Sequence, residues 1–144
     1  MTPTYKCWAA IKQRCTNKNS RDYKNYGGRG ITLCRRWLKF KNVLEDMGEK
    51  PARLVIDRID NDKGYSKKNC RWANRVVSGH NRRVPANNKT GYKGVYFWKG
   101  RNTWCAQVRL AGKRIWIGTA FHSREEAGAA RKRWEYENKN RIGG

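Results

Sequence analysis

Aromatic, amide and guanidinium side chains recur at alternate positions in the C-terminal part of the chain. The set comprises Tyr96, Trp98, Gln107, Arg109, Arg114 and Trp116. Because alternate residues of a β-strand point to the same side, strands through these segments would collect all six side chains on one face. Guanidinium and amide groups can bond to guanine and adenine edges, and an indole can lie against sugars and thymine methyl groups. The pattern predicts a sheet face that binds nucleic acid, since a sheet can enter the major groove.

The elements that would carry this face are three short strands and a helix. Residues 94–98, 104–110 and 114–118 are rich in β-branched and aromatic residues and are separated by glycine-containing turns, which predicts an antiparallel meander. The core face would carry Val95, Phe97, Trp104, Ala106, Val108, Leu110, Ile115 and Ile117. Ser123 and Glu126 form a capping box, and the residues that follow predict a helix packed on this apolar face.

The same C-terminal segments resemble an AP2 domain over about residues 89–139. The likeness is carried by Lys93-Gly94-Val95-Tyr96, Trp104-Cys105-Ala106-Gln107-Val108-Arg109, Arg114-Ile115-Trp116-Ile117-Gly118-Thr119 and Ser123-Arg124-Glu125-Glu126-Ala127. The resemblance implies three strands packed on one helix, with contacts to the major groove of double-stranded DNA from Lys93, Gln107, Arg109, Arg114 and Trp116. Tyr96 stands where plant members usually have Arg, so their target sequence does not carry over. An RNA-binding or protein-interaction sheet remains the alternative.

A second set of polar residues lies on a predicted strand, loop, strand and helix between residues 54 and 83. Ile56-Asp57-Arg58-Ile59-Asp60-Asn61-Asp62, Asn69-Cys70-Arg71-Trp72 and Asn81 resemble the HNH nuclease signature, a ββα-metal module. The resemblance implies a divalent ion, Mg²⁺ or Mn²⁺, held against the scissile phosphate. It assigns Asp57 as a metal ligand and Asn69 to pinning the loop. His80 could serve as the further ligand.

Arg58 departs from this signature, because it occupies the position of the general-base His. A guanidinium cannot accept a proton near neutral pH. Two readings stay open: His80 supplies the base, or the module is a scaffold in which Arg58 grips phosphate. Residues 26–34 and 37–48 also resemble the N-terminal region of phage proteins that combine this module with AP2. The leading interpretation is therefore a homing-type DNA endonuclease, and the alternative is a noncatalytic DNA-binding protein that regulates or coats DNA.

Two helices and a strand are predicted before the HNH-like segment. Tyr5, Trp8, Ile11 and Cys15 recur at spacings of three and four, which indicates one face of a helix. The apolar stripe from Trp37 to Met47 predicts a second helix, ended by a glycine and a proline. Residues 31–34 between the two helices predict a short strand.

The five cysteines contain no close CxxC pair and fit a reducing compartment. Cys15, Cys34 and Cys70, with Cys7 or His80 as a fourth ligand, could hold a structural zinc ion in so small a module. Buried free thiols are the alternative.

The charge of the whole chain limits its class. Lys and Arg number 34 against 11 Asp and Glu, and the resulting net charge of +23 is tolerated best beside a polyanion. No segment reaches the roughly 20 apolar residues of a membrane span. We therefore expect a cytoplasmic, DNA-associated protein that contacts no membrane.

The break in periodicity at residues 84–88 predicts two modules, 1–83 and 84–144. The predicted fold class is α+β, with a ββα-metal module followed by the AP2-like sheet and helix.

Overall fold

The chain is a mixed α+β protein with two small antiparallel sheets, one of two strands and one of three. A computed structural model describes residues 1–138 and 142. The chain divides into two compact units, Met1–Asn81 and Arg82–Gly144. This division lies just before the interruption in periodicity at residues 84–88. No helix among the described residues is long and apolar enough to cross a membrane.

The N-terminal unit consists of three helices and a two-stranded sheet. In chain order these are α1 (Pro3–Thr16), α2 (Phe40–Met47), β1 (Val55–Arg58), β2 (Cys70–Ala73) and α3 (Arg75–Asn81). Helix α1 begins where the side chain of Thr2 accepts a bond from Tyr5 N, and it buries Ile11 and Cys15. These two side chains join a core around Trp37, whose side chain is fully buried. The helical spacing of the first apolar residues is therefore confirmed.

Residues 31–34 do not form the predicted strand. Only one parallel bridge, between Leu33 and Tyr65, pairs this segment in the described structure. Tyr65 N donates to Thr32 O at 2.8 Å, and Cys34 N donates to Tyr65 O at 2.9 Å. The segment opposite is a loop, so it offers too short an extended partner for a ladder. The second predicted helix also begins later, at Phe40, after a 3₁₀ turn over Arg35–Leu38.

The C-terminal unit is a three-stranded antiparallel meander with one helix packed against it. Its elements are β3 (Val95–Trp98), β4 (Thr103–Leu110), β5 (Lys113–Phe121) and α4 (Arg124–Glu137). Helix α4 begins as the sequence predicts, because Ser123 Oγ accepts a bond from Glu126 N at 3.1 Å. Val95, Ala106 and Ala127 form the buried centre of the unit. Ile117 and Trp104 pack around them.

The prediction that Phe97 belongs to the buried core is wrong. Its side chain lies on the helix side of β3 but is 41% exposed, and it packs edge-on against Trp104 with the ring centroids 5.3 Å apart. Phe97 comes near the end of β3, and the centre of the core is formed by Val95 and Ala127. The alternation of side chains along the strand therefore predicted the correct face for Phe97. It could not predict how much of that face α4 covers.

A buried arginine fastens helix α4 to the sheet. The Nη1 atom of Arg131 donates to the carbonyl of Lys93 at 3.1 Å and to the carbonyl of Gln107. Glu135, one turn further along the helix, accepts from Nη2 at 2.8 Å. Gly94 passes beside this guanidinium with φ +62°, and a Cβ at this position would overlap both Arg131 Nη1 and Gln107 O. The helix therefore reaches the sheet backbone only because residue 94 has no side chain.

Gly94→Ala should destabilise the C-terminal unit by roughly 3 kcal/mol or more, because it adds overpacking to a positive φ. The matched control is Gly112→Ala, which has φ +79° and no atom within 4 Å of the added Cβ. The control should cost only about 1 kcal/mol. Urea unfolding followed by tryptophan fluorescence measures both, and equal losses would contradict the close approach at Gly94.

Candidate nucleic-acid interface

The outer face of the three-stranded sheet, opposite α4, carries three aromatic rings, of which the Trp116 ring contacts the other two. Tyr96 lies 6.1 Å from Trp116, centroid to centroid, and Trp98 lies 6.3 Å from Trp116 with the two indole planes only 21° apart. Trp98 is 36% exposed and Trp116 is 43% exposed. We call Tyr96, Trp98 and Trp116 the ring cluster. Large aromatic area of this kind is enriched where proteins meet partners.

Two guanidinium groups lie over the rings of this cluster. Arg101 is 4.5 Å from the Trp98 ring centroid, and Arg114 is 5.7 Å from that of Trp116. Arg109 is the cross-strand partner of Arg114 and is exposed. Like charges opposite each other on a sheet repel in the absence of an anion. The chain has no acidic residue between Asp62 and Glu125, so the strands themselves contribute only positive charge.

Gln107 lies in the central strand of this face, as the cross-strand partner of Trp116. Its Oε1 atom is buried and has no hydrogen-bond partner in the described part of the chain. Cys105, two residues earlier, pairs with Tyr96 and is fully buried. The ring cluster therefore covers the middle of the outer face.

Lys93 does not lie on a strand but two residues before the start of β3. Burial lowers the pKa of its ammonium group, Glu135 acts in the opposite direction, and the neighbouring Arg131 and Arg82 lower this pKa further. Burial also raises the pKa of the Tyr96 hydroxyl. All seven side chains predicted for this site thus belong to one unit, and six of them lie on the sheet. The sequence did not indicate Arg101, although its position in a turn after an aromatic strand was visible.

In the N-terminal unit, Asp57 and Asn81 are brought together where β1 meets α3. The Asn81 Nδ2 atom donates to Asp57 Oδ2 at 3.2 Å and to the carbonyl of Arg58. Arg71 Nε also contacts Asp57 Oδ2, at 3.3 Å, and the Asp57 side chain is 7% exposed. His80 precedes Asn81 on α3 and is half-buried. Successive helix residues point about 100° apart, so His80 and Asn81 have different directions.

Asn69 holds the loop between β1 and β2. Its Nδ2 atom donates to the carbonyls of Asp60 and Gly64, at 3.1 and 2.9 Å, and its Oδ1 atom accepts from Asp60 N at 2.9 Å. One side chain therefore closes both ends of the loop. Such a role is open to any Asn in a loop and does not by itself indicate catalysis.

Arg58 is buried and points away from Asp57, because neighbouring strand residues face opposite sides. Its Nη1 atom donates to Lys63 O at 2.9 Å, and its guanidinium lies 5.0 Å from the Tyr65 ring and 5.4 Å from the Tyr26 ring. Arg14 lies over the same two rings. In this arrangement Arg58 braces the loop and the core, and it is 7% exposed.

The thiols of Cys15, Cys34 and Cys70 share one hydrophobic core. Burial raises the pKa of Cys15, and it raises the pKa of Cys70 to about 11. Among the residues that the structure describes, no group of three or more His, Cys, Asp or Glu side chains is arranged to hold a metal ion. A zinc site here, with Cys7 or His80 as its fourth ligand, stays a prediction.

Comparisons with known proteins do not define a class for this chain. No protein-family model, curated protein or solved structure matches it.

Arg58→Met should lower the free energy of unfolding by about 2 kcal/mol, because it keeps the apolar stem but removes the bond to Lys63 O and the contacts with two rings. Arg35→Met is the matched control at an exposed arginine and should stay within about 0.5 kcal/mol of the parent. Chemical denaturation measures both values. A silent Arg58→Met would show that the guanidinium is not a structural brace.

Proposed function

We propose that this protein binds double-stranded DNA through the outer face of its C-terminal sheet. The observation that carries the proposal is the ring cluster with guanidinium groups over two of its rings. These groups lie on the sheet face that α4 does not cover. Guanidinium groups bind phosphates and guanine edges, whereas indole rings pack against sugars and thymine methyl groups.

Charge supports the same partner. A net charge of +23 favours a polyanion over a protein surface or a small ligand. Arg109 and Arg114 are cross-strand partners on the neighbouring strands β4 and β5. A DNA phosphate or guanine between them would relieve the repulsion of their charges. Affinity for DNA should accordingly be dominated by phosphate contacts, while the rings and the amide add preference for sequence.

Duplex DNA is favoured over a single strand by the way the rings pack. Proteins that hold single strands stack each base on an open aromatic face. Here Trp98 and Trp116 pack on each other, and Arg101 and Arg114 lie over them. The edges of the rings and the guanidinium groups are therefore the parts that a partner can contact. These groups suit a groove of duplex DNA. An AP2-like domain, which is a three-stranded sheet packed on one helix, would bind DNA in this way.

We further propose that the N-terminal unit is an HNH-like module that makes the protein a metal-dependent DNA endonuclease. The observation that favours this second function is the pairing of Asp57 with Asn81 beside a loop closed by Asn69. A carboxylate suits Mg²⁺ or Mn²⁺, which need few protein ligands, and the Nδ2 atom of Asn81 would orient this carboxylate by donating to it. Such an ion would polarise a scissile phosphate and lower the pKa of a water.

The residues around this pair have separate parts in the proposal. Asp57 would hold the cation, and Asn69 would keep the loop in place. Arg58 cannot act as a base, so His80, the one imidazole of the unit, is the remaining candidate. If His80 does not reach the substrate, the N-terminal unit is a scaffold and the chain a noncatalytic DNA-binding protein.

Trp116→Ala should weaken binding of the full chain to a labelled duplex by about tenfold, the equivalent of roughly 1.4 kcal/mol, because it opens the ring cluster. Tyr136→Ala is the control, since this ring is 83% exposed on α4, and it should leave affinity unchanged. Fluorescence anisotropy over a salt series should also give an affinity that falls steeply with salt. Equal effects of the two variants, or tighter binding of single-stranded DNA, would contradict the assignment.

Asp57→Asn should abolish cleavage of a duplex library by the full chain with Mg²⁺ or Mn²⁺, because it removes the charge that holds the cation. Asp22→Asn, at an exposed carboxylate, should leave the rate unchanged. Sequencing of the cut ends measures cleavage, and thermal unfolding checks that both variants fold. An uncut library with every divalent metal would favour the noncatalytic alternative.

A further inference from the structure

Among the outer-face side chains that the structure describes, Gln107 has a buried polar atom whose bonding is incomplete. Its Oε1 atom is buried without a hydrogen-bond partner in the described part of the chain. A buried carbonyl that bonds to nothing costs stability, so its presence needs an explanation. Gln107 stands in the central strand, opposite Trp116 of the ring cluster.

The backbone of Gln107 is held from both sides, which fixes the direction of its Cα–Cβ bond. Gln107 N donates to Gly94 O at 2.9 Å, and Gln107 O accepts from the buried Arg131. The register between β4 and β5 is irregular between Trp104 and Gln107. Bulges of this kind re-aim side chains near functional sites. Two independent features thus present this amide on the outer face.

The chemistry of the unpaired atom selects its partner. An Oε1 acceptor needs a donor, and phosphate oxygens, guanine O6 and N7, and thymine O4 are all acceptors. Adenine offers an N6 donor beside an N7 acceptor, which match the oxygen and the NH₂ of one amide together. Cytosine offers only the donor.

We propose that Gln107 is a specificity-determining residue that selects adenine at one position of the bound duplex. This inference rests on the proposed binding of DNA by the outer face. Before binding, the amide carbonyl is buried without a hydrogen-bond partner beside Trp116. On binding, a shift of the Trp116 ring exposes the carbonyl, which then accepts a hydrogen bond from adenine N6. Arg109 and Arg114 then supply affinity around a position that Gln107 reads.

The test is selection of bound duplexes from a randomised library with the full chain and with Gln107→Met, which keeps the volume and removes both polar atoms. The parent should enrich adenine at one position. Gln107→Met should lose that preference by roughly ten- to a hundredfold at this position alone. Gln13→Met, at an exposed glutamine of α1, is the control and should keep the parent's profile.

Thermal unfolding without DNA gives a second, separate readout. Gln107→Met should raise the melting temperature by several degrees, since it removes an unsatisfied acceptor, and Gln13→Met should not. An unchanged adenine preference in Gln107→Met, or a loss spread evenly over all positions, overturns the inference while the binding proposal stands. Failure of the parent to retain any duplex overturns the binding proposal itself.

Discussion

The side chain of Arg131 ties α4 to the sheet through the carbonyls of Lys93 and Gln107. A buried guanidinium is costly unless its donors are satisfied, and here two carbonyls and Glu135 accept from it. Gly94 gives it the necessary room. Because the helix is fixed to one side of the sheet, the other side is left with its rings and arginines uncovered. The proposed DNA-binding face is the consequence of this attachment.

Rings and carbonyl groups take the place of carboxylates for several arginines of this strongly basic chain. Arg14 and Arg58 lie against Tyr26 and Tyr65, and Arg101 lies over Trp98. One carboxylate, that of Asp46, is held by Trp37, Arg36 and Lys67, and hydrogen bonds from the first two lower its pKa. Arg101 is exposed and keeps its positive charge while it lies over a ring, so this charge can still attract an anion. Internal stability and an excess of positive charge are thereby compatible.

The elements of the fold follow from local patterns, and the contacts that depend on distant residues do not. Alternation predicts the outer face of the sheet, and helical spacing predicts α1 and α4, because each pattern is a property of one segment. The missing strand at residues 31–34 depends on what the loop around Tyr65 offers it. In the resemblance to the HNH signature, Arg58 occupies the position of the general base. Its surroundings in the structure are formed by Tyr26 and Arg14, which are far away in sequence. From the sequence alone, Arg131 is typical of a residue on the exposed surface of a helix. Its buried position is evident only from the packing of α4 on the sheet.

The most direct measurement is an NMR titration of the full chain, labelled with ¹⁵N at the seven tryptophan indoles, with a duplex DNA. The indole signals of Trp98 and Trp116 should shift or broaden at the lowest DNA concentrations. The signal of Trp37, which is fully buried in the N-terminal core, should change least. Saturable binding of the duplex with unmoved Trp98 and Trp116 signals would contradict the account, because DNA would then be held by another surface.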